Sequence, residues 1–470
     1  MKTDTIAAVA TAMSDSGIGI IRVSGDEAVK IVAKIYENVR HEKILDQYDS
    51  HTIHYGFIVD EDGSFVDEVM VSIMKSPKSY TTEDTVEINC HGGIFMMKKI
   101  LMTVVKAGAR IAEPGEFTKR AFLNGRMDLS EAEAVMDVIH AKNEFALQSS
   151  VSQLRGSVYK KVKELRDKIL YEIAFIESAL DDPEHVSLDG YVEKLSDQIF
   201  IIKRELEKLL ISADDGKMLK EGIRTVIVGK PNVGKSSLLN LLVGQDRAIV
   251  TDIAGTTRDT LEETISLGEI TLNIIDTAGI RNTEDIVEKI GVEKAKTISE
   301  DADLILYVID SSVALDENDE AIVRLIQDKK IIILLNKSDL TEMVSLESVE
   351  EMFDRIVGND REKGGMKIIR FSARENEGLD LLTSFIKKMF FHGQISYNDE
   401  IYITSARHRE ALMDVLDSIC QVQVSLKNQM PEDFYSIDLM NAYASLGRII
   451  GEEVEDDLVN EIFSKFCTGK

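Results

Sequence analysis

Apolar and polar positions follow three rhythms along this chain. Over residues 1 to about 120, short apolar or alternating runs predominate: GIGIIRVSG (17–25), EVMVSIM (68–74) and TVEINC (85–90), the last with Val86, Ile88 and Cys90 on one side. A period of two predicts half-buried strands. GGIFMMKKILMTVVKAGA then takes the helical period and should end at Gly108. From about 123 to 215, Ala132, Val135, Met136 and Ile139, then Leu165, Ile169, Ile173, Ile176 and Leu180, recur at helical spacing. Ser130 and Glu133 have the S-x-x-E spacing of a capping box. Pro183 interrupts the region within the turn-like DDPEHVSLDG, so long helices packed as a bundle are predicted.

From about 222 to 385, apolar runs (RTVIVG, TLNIID, DLILYVID, KIIILLN, MKIIRFSA) alternate with helical stretches, which predicts a mostly parallel sheet. After FFHGQISYNDE the pattern is helical again to residue 470. The fold class is therefore multidomain α/β plus α. The predicted division is an α+β domain over 1–120, a helical domain over 121–215 and 386–470, and an α/β domain over 216–385 inserted in it. Neighbouring domain termini make such an insertion geometrically simple.

Composition narrows the class. The net charge of −28 disfavours strong autonomous binding to a nucleic-acid backbone, so an RNA partner would need a local basic patch or a basic companion. Acidity that only keeps the protein soluble is the plain alternative. No run of about 18 apolar residues occurs, and the opening MKTDTIAAVATAMSDSGIG lacks the layout of a signal peptide. Cys90, Cys420 and Cys467 are too few and too scattered for a disulfide framework or a CxxC zinc site. A cytoplasmic protein without a membrane partner is expected.

The chemistry concentrates in the third segment. GKPNVGKS (229–236) is G-x-x-x-x-G-K-S between a predicted strand and a predicted helix. In that setting the backbone of Asn232, Val233, Gly234, Lys235, Ser236 and Ser237 would cradle phosphate, Lys235 would neutralise charge, and the Ser236 hydroxyl would ligate Mg²⁺. TDIAGTTRD follows and offers Thr257 as a second Mg²⁺ hydroxyl. Next comes DTAG, where Asp276 can reach the metal through a water and the Gly279 N–H can meet the γ-phosphate, flanked by Thr277 and Ala278. NKSD gives Asn336, Lys337 and Asp339; the Asp339 carboxylate can accept from guanine N1–H and N2–H₂, a pair adenine lacks. SAR (Ser372, Ala373, Arg374) places an N–H for guanine O6, whereas the SAR at 405–407 reads as a helix start. A GTP site is the result.

One residue does not fit a Ras-type site. The position after Gly279 is Ile280, which cannot orient a water as a Gln would. Arg258 and Arg281 are available as fingers or as plain loop charges.

These motifs, with DTIAAVAT, IGIIRVSG, CHGG, PGEFTKRAFLNGRMDLSEAEAVMDVI (114–139) and the terminal Cys467-Thr468-Gly469-Lys470, resemble the bacterial MnmE (TrmE) GTPase family over the whole chain. The resemblance implies a homodimer that works with the flavoprotein MnmG (GidA) in a heterotetramer to install an aminomethyl-type group on carbon 5 of the wobble uridine of certain tRNAs. It implies that Glu288 sets the attacking water, with Lys235 and Asp276 also catalytic. It implies a K⁺ ion held by Asn232, Thr251, Ile253 and Thr256, in a GTP-binding loop completed by Asp252, Ala254 and Gly255. It further implies that the N-terminal domain binds a tetrahydrofolate derivative, 5-formyl- or 5,10-methylene-, through Arg22, Glu87, Arg126 and Lys470, with Arg126 standing where relatives often carry Lys. Cys467 reads as a packing residue or a nucleophile, and His91 in CHGG as a turn histidine. The rival readings are a GTP-switched ribosome-assembly or RNA-binding factor similar to Era, which predicts a basic appendage, and an uncoupled GTPase with a vestigial folate domain.

Overall fold

The computed structural model describes residues 4–182, 185, 190–244, 263–268, 270–275, 302–358, 366–391, 401–452, 454, 456–467 and 469. Contacts group Met1–Ile139, Val151–Ile199 and Asp417–Lys470 into one compact unit, and His140–Ser150 with Phe200–Leu416 into a second.

The first unit opens with β1 (Ile6–Val9), β2 (Ser16–Ser24), α1 (Ala28–Ile35), β3 (Tyr36–Asn38), β4 (Thr52–Val59), β5 (Phe65–Met74), β6 (Thr85–Gly92), α2 (Ile94–Ala107) and β7 (Arg110–Ile111). The strands form one sheet in the order β3-β4-β5-β6-β2-β1-β7, antiparallel except for β1 against β7. Val86, Ile88 and Cys90 lie in one core with Ile31 and Val32 of α1 and Met97, Ile100 and Val104 of α2. The predicted alternation is thus the buried face of β6, and α2 ends at Gly108 as the pattern requires. Strands β1 and β4 carry no clear sequence signal, because IAAV is short and His54 and Tyr55 break the apolar rhythm of TIHYGFIV.

Next come α3 (Glu116–Leu123), α4 (Leu129–His140), α5 (Glu144–Leu154), α6 (Ser157–Asp181) and α7 (Tyr191–Glu221). The cap of α4 differs from expectation. Asp128 Oδ1 accepts from the N–H groups of Ser130 (2.7 Å) and Glu131 (3.2 Å), and Glu131 Oε2 accepts from Asp128 N (3.0 Å). The box is therefore D-x-x-E, and Ser130 sits inside the helix with its hydroxyl also on Asp128. An ionised carboxylate accepts from several donors at once, which a serine hydroxyl does less well. In α6, Leu165, Ile169, Ile173 and Ile176 are buried but Leu180 is 40% exposed, with Ala179 inside instead.

The second unit is a doubly wound α/β layer. Its elements are β8 (Ile223–Val228), α8 (Lys235–Gly244), β9 (Glu263–Leu267), β10 (Ile270–Ile274), β11 (Leu304–Asp310), α9 (Glu317–Ile326), β12 (Ile331–Asn336), α10 (Leu346–Val357), β13 (Met366–Arg370) and α11 (Leu379–Phe390). Strand order is β13-β12-β11-β8-β10-β9, parallel except for the edge strand β9. Along β11, Leu304, Leu306 and Val308 enter a core with α8 and α11, while Ile305, Tyr307 and Ile309 enter another with α9 and α10. A strand covered on both faces reads as a continuous apolar run, which is why LILYVID shows no alternation. The polar face of ETISL hid β9 from the hydrophobic pattern.

The chain ends in α12 (Ala406–Lys427), α13 (Glu432–Ile450) and α14 (Asp456–Ser464). The SAR at 405–407 opens α12, as expected. Helix α13 packs along α6, and α14 against α3 through the rings of Phe122, Phe463 and Phe466. Among the described residues no helix is long and apolar enough to cross a membrane.

Candidate functional site

The turn between β8 and α8 is built by three residues with positive φ, the first being Gly229 at 153°. Asn232 has φ 62°, which Asn tolerates through its short polar side chain, and Gly234 has φ 104°. A Cβ on Gly234 would also collide with Asn336 Nδ2. Lys235 Nζ donates to the carbonyls of Gly229 (2.8 Å) and Lys230 (2.7 Å). Burial pushes this ammonium below the usual lysine value, so an entering phosphate gains a desolvated counter-charge. Ser236 stands half-buried in the first turn of α8, beside an exposed Ser237, and Val233 is buried.

Asn336, at the end of β12, joins the loops. Its Nδ2 donates to Val233 O (2.7 Å) and its Oδ1 accepts from Ala373 N (3.1 Å). The Ala373 N–H expected to face guanine O6 is thus engaged by Asn336 Oδ1 in this structure. Asp339 Oδ1 accepts from Ser372 Oγ (2.8 Å), which fixes the carboxylate that would read the base. Lys337, with φ 63°, donates through Nζ to Asp310 Oδ2 at 2.5 Å. Burial opposes ionisation of Asp310, but the Lys337 ammonium and the Ser312 donors outweigh it and hold the carboxyl below its ordinary value. Arg374 is an exposed loop charge near Glu375.

Thr251, Asp252, Ile253, Ala254, Gly255, Thr256, Thr257, Asp276, Thr277, Ala278, Gly279 and Glu288 lie outside the described residues, as do Arg258, Ile280, Arg281 and Lys470. Among the described residues no group of three or more His, Cys, Asp or Glu side chains could hold a metal.

A second polar constellation lies in the first unit. Arg22 and Glu87 are cross-strand partners on β2 and β6. Arg22 donates to Glu87 Oε1 (Nε 2.9 Å) and to the carbonyl of Gly469 (3.1 Å). Its guanidinium lies 5.3 Å from the centre of the Tyr80 ring, and that of Arg126 lies 4.7 Å from the same ring. Arg126 also donates to Tyr80 O (2.7 Å), and Tyr80 OH pairs with Thr118 Oγ1 (2.9 Å). The structure therefore brings Arg22 and Arg126 to Tyr80, with Glu87 and the Gly469 carbonyl held on Arg22. Sequence reading missed Tyr80 because SYTTED carries only a turn signal. It also missed Lys230, Asp310 and Asp319, whose partners are remote in sequence.

His91 is not in a turn. It lies near the end of β6, with Nδ1 2.7 Å from Asp67 Oδ1, and that hydrogen bond raises its pKa above the ordinary histidine value. The side chain of Cys467 is exposed, while its carbonyl accepts from Gly115 N (3.2 Å).

Comparison with known proteins shows the family. Residues 5–126 match a model described as the GTP-binding protein TrmE N-terminus, and residues 129–467 one described as the MnmE helical domain. The chain is similar to proteins named tRNA modification GTPase MnmE: 56% identical over all of both chains in Lachnoclostridium phytofermentans, and 47% identical over 99% of each in Clostridioides difficile. A crystal structure of an Aquifex aeolicus Era variant bound to GDP and aluminium fluoride matches 42% of this chain and 66% of its own, at 32% identity and a TM-score of 0.26.

Gly234→Ala is expected to weaken GTP binding at least about five-fold, since left-handed strain alone costs ~1–3 kcal/mol. Nucleotide titration checks this, and unchanged affinity would mean that the loop relaxes without moving Asn336.

Proposed function

We propose, for a chain that belongs to the MnmE family of tRNA modification GTPases, that GTP hydrolysis drives modification at carbon 5 of the wobble uridine (U34) of certain tRNAs. The added group is aminomethyl or carboxymethylaminomethyl, its one-carbon unit comes from a tetrahydrofolate derivative, and the flavoprotein MnmG is the partner of a homodimer. The observation that carries this reading is one chain joining a P-loop to an Arg–Glu–Arg constellation completed by its own C-terminal tail. In this reading residues 1–120 bind the folate and dimerise, 121–215 with 386–470 form the helical domain, and 216–385 form the GTPase domain.

The polar groups suit a folate. A pterin offers amide and amino donors, which Glu87 can accept, and a glutamate tail offers carboxylates to Arg22, Arg126 and Lys470. Lys235 would contact the β- and γ-phosphates, and Asp339, held by Ser372, would select guanine. Ser236 and Thr257 would hold Mg²⁺; Asn232, Thr251, Ile253 and Thr256 would hold K⁺. Those cations supply neutralising charge for the phosphoryl oxygens. Glu288 would accept a hydrogen bond from the attacking water, a role the butyl group of Ile280 cannot fill.

Transfer RNA from cells lacking the protein should lose the carbon-5 substituent of its wobble uridines by nucleoside mass spectrometry; intact modification would favour the Era-like or uncoupled readings. K⁺ should stimulate GTP hydrolysis at least about ten-fold over Na⁺, and Glu288→Ala should slow turnover by a similar factor with GTP affinity kept. Equal rates in the two salts, or normal turnover in the variant, would remove that part of the mechanism. Titration with 5-formyltetrahydrofolate should saturate, and Arg22→Ala should weaken it about ten-fold or more; no binding to the unaltered protein defeats the folate assignment.

A further inference from the structure

The P-loop rests on a buried ionic strut that the GTPase motifs do not include. Lys230, the first variable residue of GKPNVGKS, turns its side chain away from the phosphate cradle toward α9. Its Nζ lies 2.7 Å from Asp319 Oδ2 and 3.0 Å from Asp316 Oδ2. Asp319 is 1% exposed. Its Oδ1 accepts from Tyr307 OH (2.8 Å), on the face of β11 that packs against α9 and α10, and its Oδ2 also accepts from Asp316 N (2.9 Å) in the capping box of α9. A buried carboxylate costs several kcal/mol to desolvate unless it is paired and fully hydrogen-bonded. Tyr307 and the cap supply neutral donors, so Lys230 supplies the paired charge.

The same residue bears on the nucleotide side through its backbone. The Lys230 carbonyl is one of the two that receive Lys235 Nζ. We infer that Lys230 is a positioning residue for GTP: its ammonium, clamped by Asp319, fixes the carbonyl that holds the Lys235 ammonium in place for the phosphates. The inference rests on the GTPase activity and not on the folate or tRNA chemistry. The strut sets where the Lys235 ammonium waits for the nucleotide; once GTP is bound, its phosphates hold that ammonium directly and the strut no longer decides its place. Its loss therefore lowers nucleotide affinity and leaves turnover at saturation nearly untouched.

The test uses the full-length protein with a fluorescent GDP analogue and steady-state GTP hydrolysis. Lys230→Met keeps the length of the side chain and removes its charge. It should weaken GDP binding and raise KM for GTP by about ten-fold with kcat within about two-fold. Lys230→Arg should recover most of the affinity. Asp319→Asn keeps the shape and the Tyr307 hydrogen bond; it should weaken affinity by about three-fold or more and carries the test should Lys230→Met fail to fold. Unchanged affinity in a folded Lys230→Met or Asp319→Asn protein overturns the inference. So does a fall in kcat with KM unchanged, or a lowered melting temperature with wild-type affinity, which would make the strut a stability element only.

Discussion

Two main-chain hydrogen bonds made by one amide side chain hold the nucleotide-facing loops in register. Asn336 reaches Val233 O on one side and Ala373 N on the other, so the P-loop and the 372–374 turn share a single spacer. The spacer works because it is 3% exposed and sits at the end of β12, where the parallel ladder pairs it with Asp310 of β11. The close approach at Gly234 follows from it, since the side-chain amide occupies the volume that any Cβ there would need.

Much of this arrangement was legible in the residues. The apolar runs of β8, β11 and β12 are long enough, and bounded clearly enough, to be read as strands covered on both faces. The P-loop, the NKSD loop and the decoy SAR at 405–407 were legible from order and flanking pattern. What the pattern did not carry was pairing at long range. Lys230 with Asp319 and Asn336 with Val233 join residues 89 and 103 positions apart, and no local periodicity encodes them. Capping was misread for a similar reason: Asp128 and Ser130 both have capping chemistry, and only the geometry of the first turn decides that the carboxylate takes the donors.

The N-terminal sheet shows the opposite balance. Its elements were partly legible, but the roles of Arg22, Glu87 and Arg126 came from resemblance and not from spacing. The structure adds a physical account of why they meet. Antiparallel register sets Arg22 opposite Glu87, and α3 ends where Arg126 can lie over Tyr80. Thr118 steadies the Tyr80 hydroxyl from α3 itself. Two guanidinium groups near one aromatic ring tolerate each other because Glu87 neutralises one of them and the ring's π-face attracts both.

Gly469 sits so close to Val9 and Ala10 that a side chain there would strike the β1 backbone, and its carbonyl receives Arg22. The acceptor that meets Arg22 is therefore seated by bare backbone against backbone, with no room for a methyl group between them. Of the two oxygens on that guanidinium, the Glu87 carboxylate can follow a shift of the arginine by turning its side chain, whereas the Gly469 carbonyl can follow only if the edge of β1 moves with it.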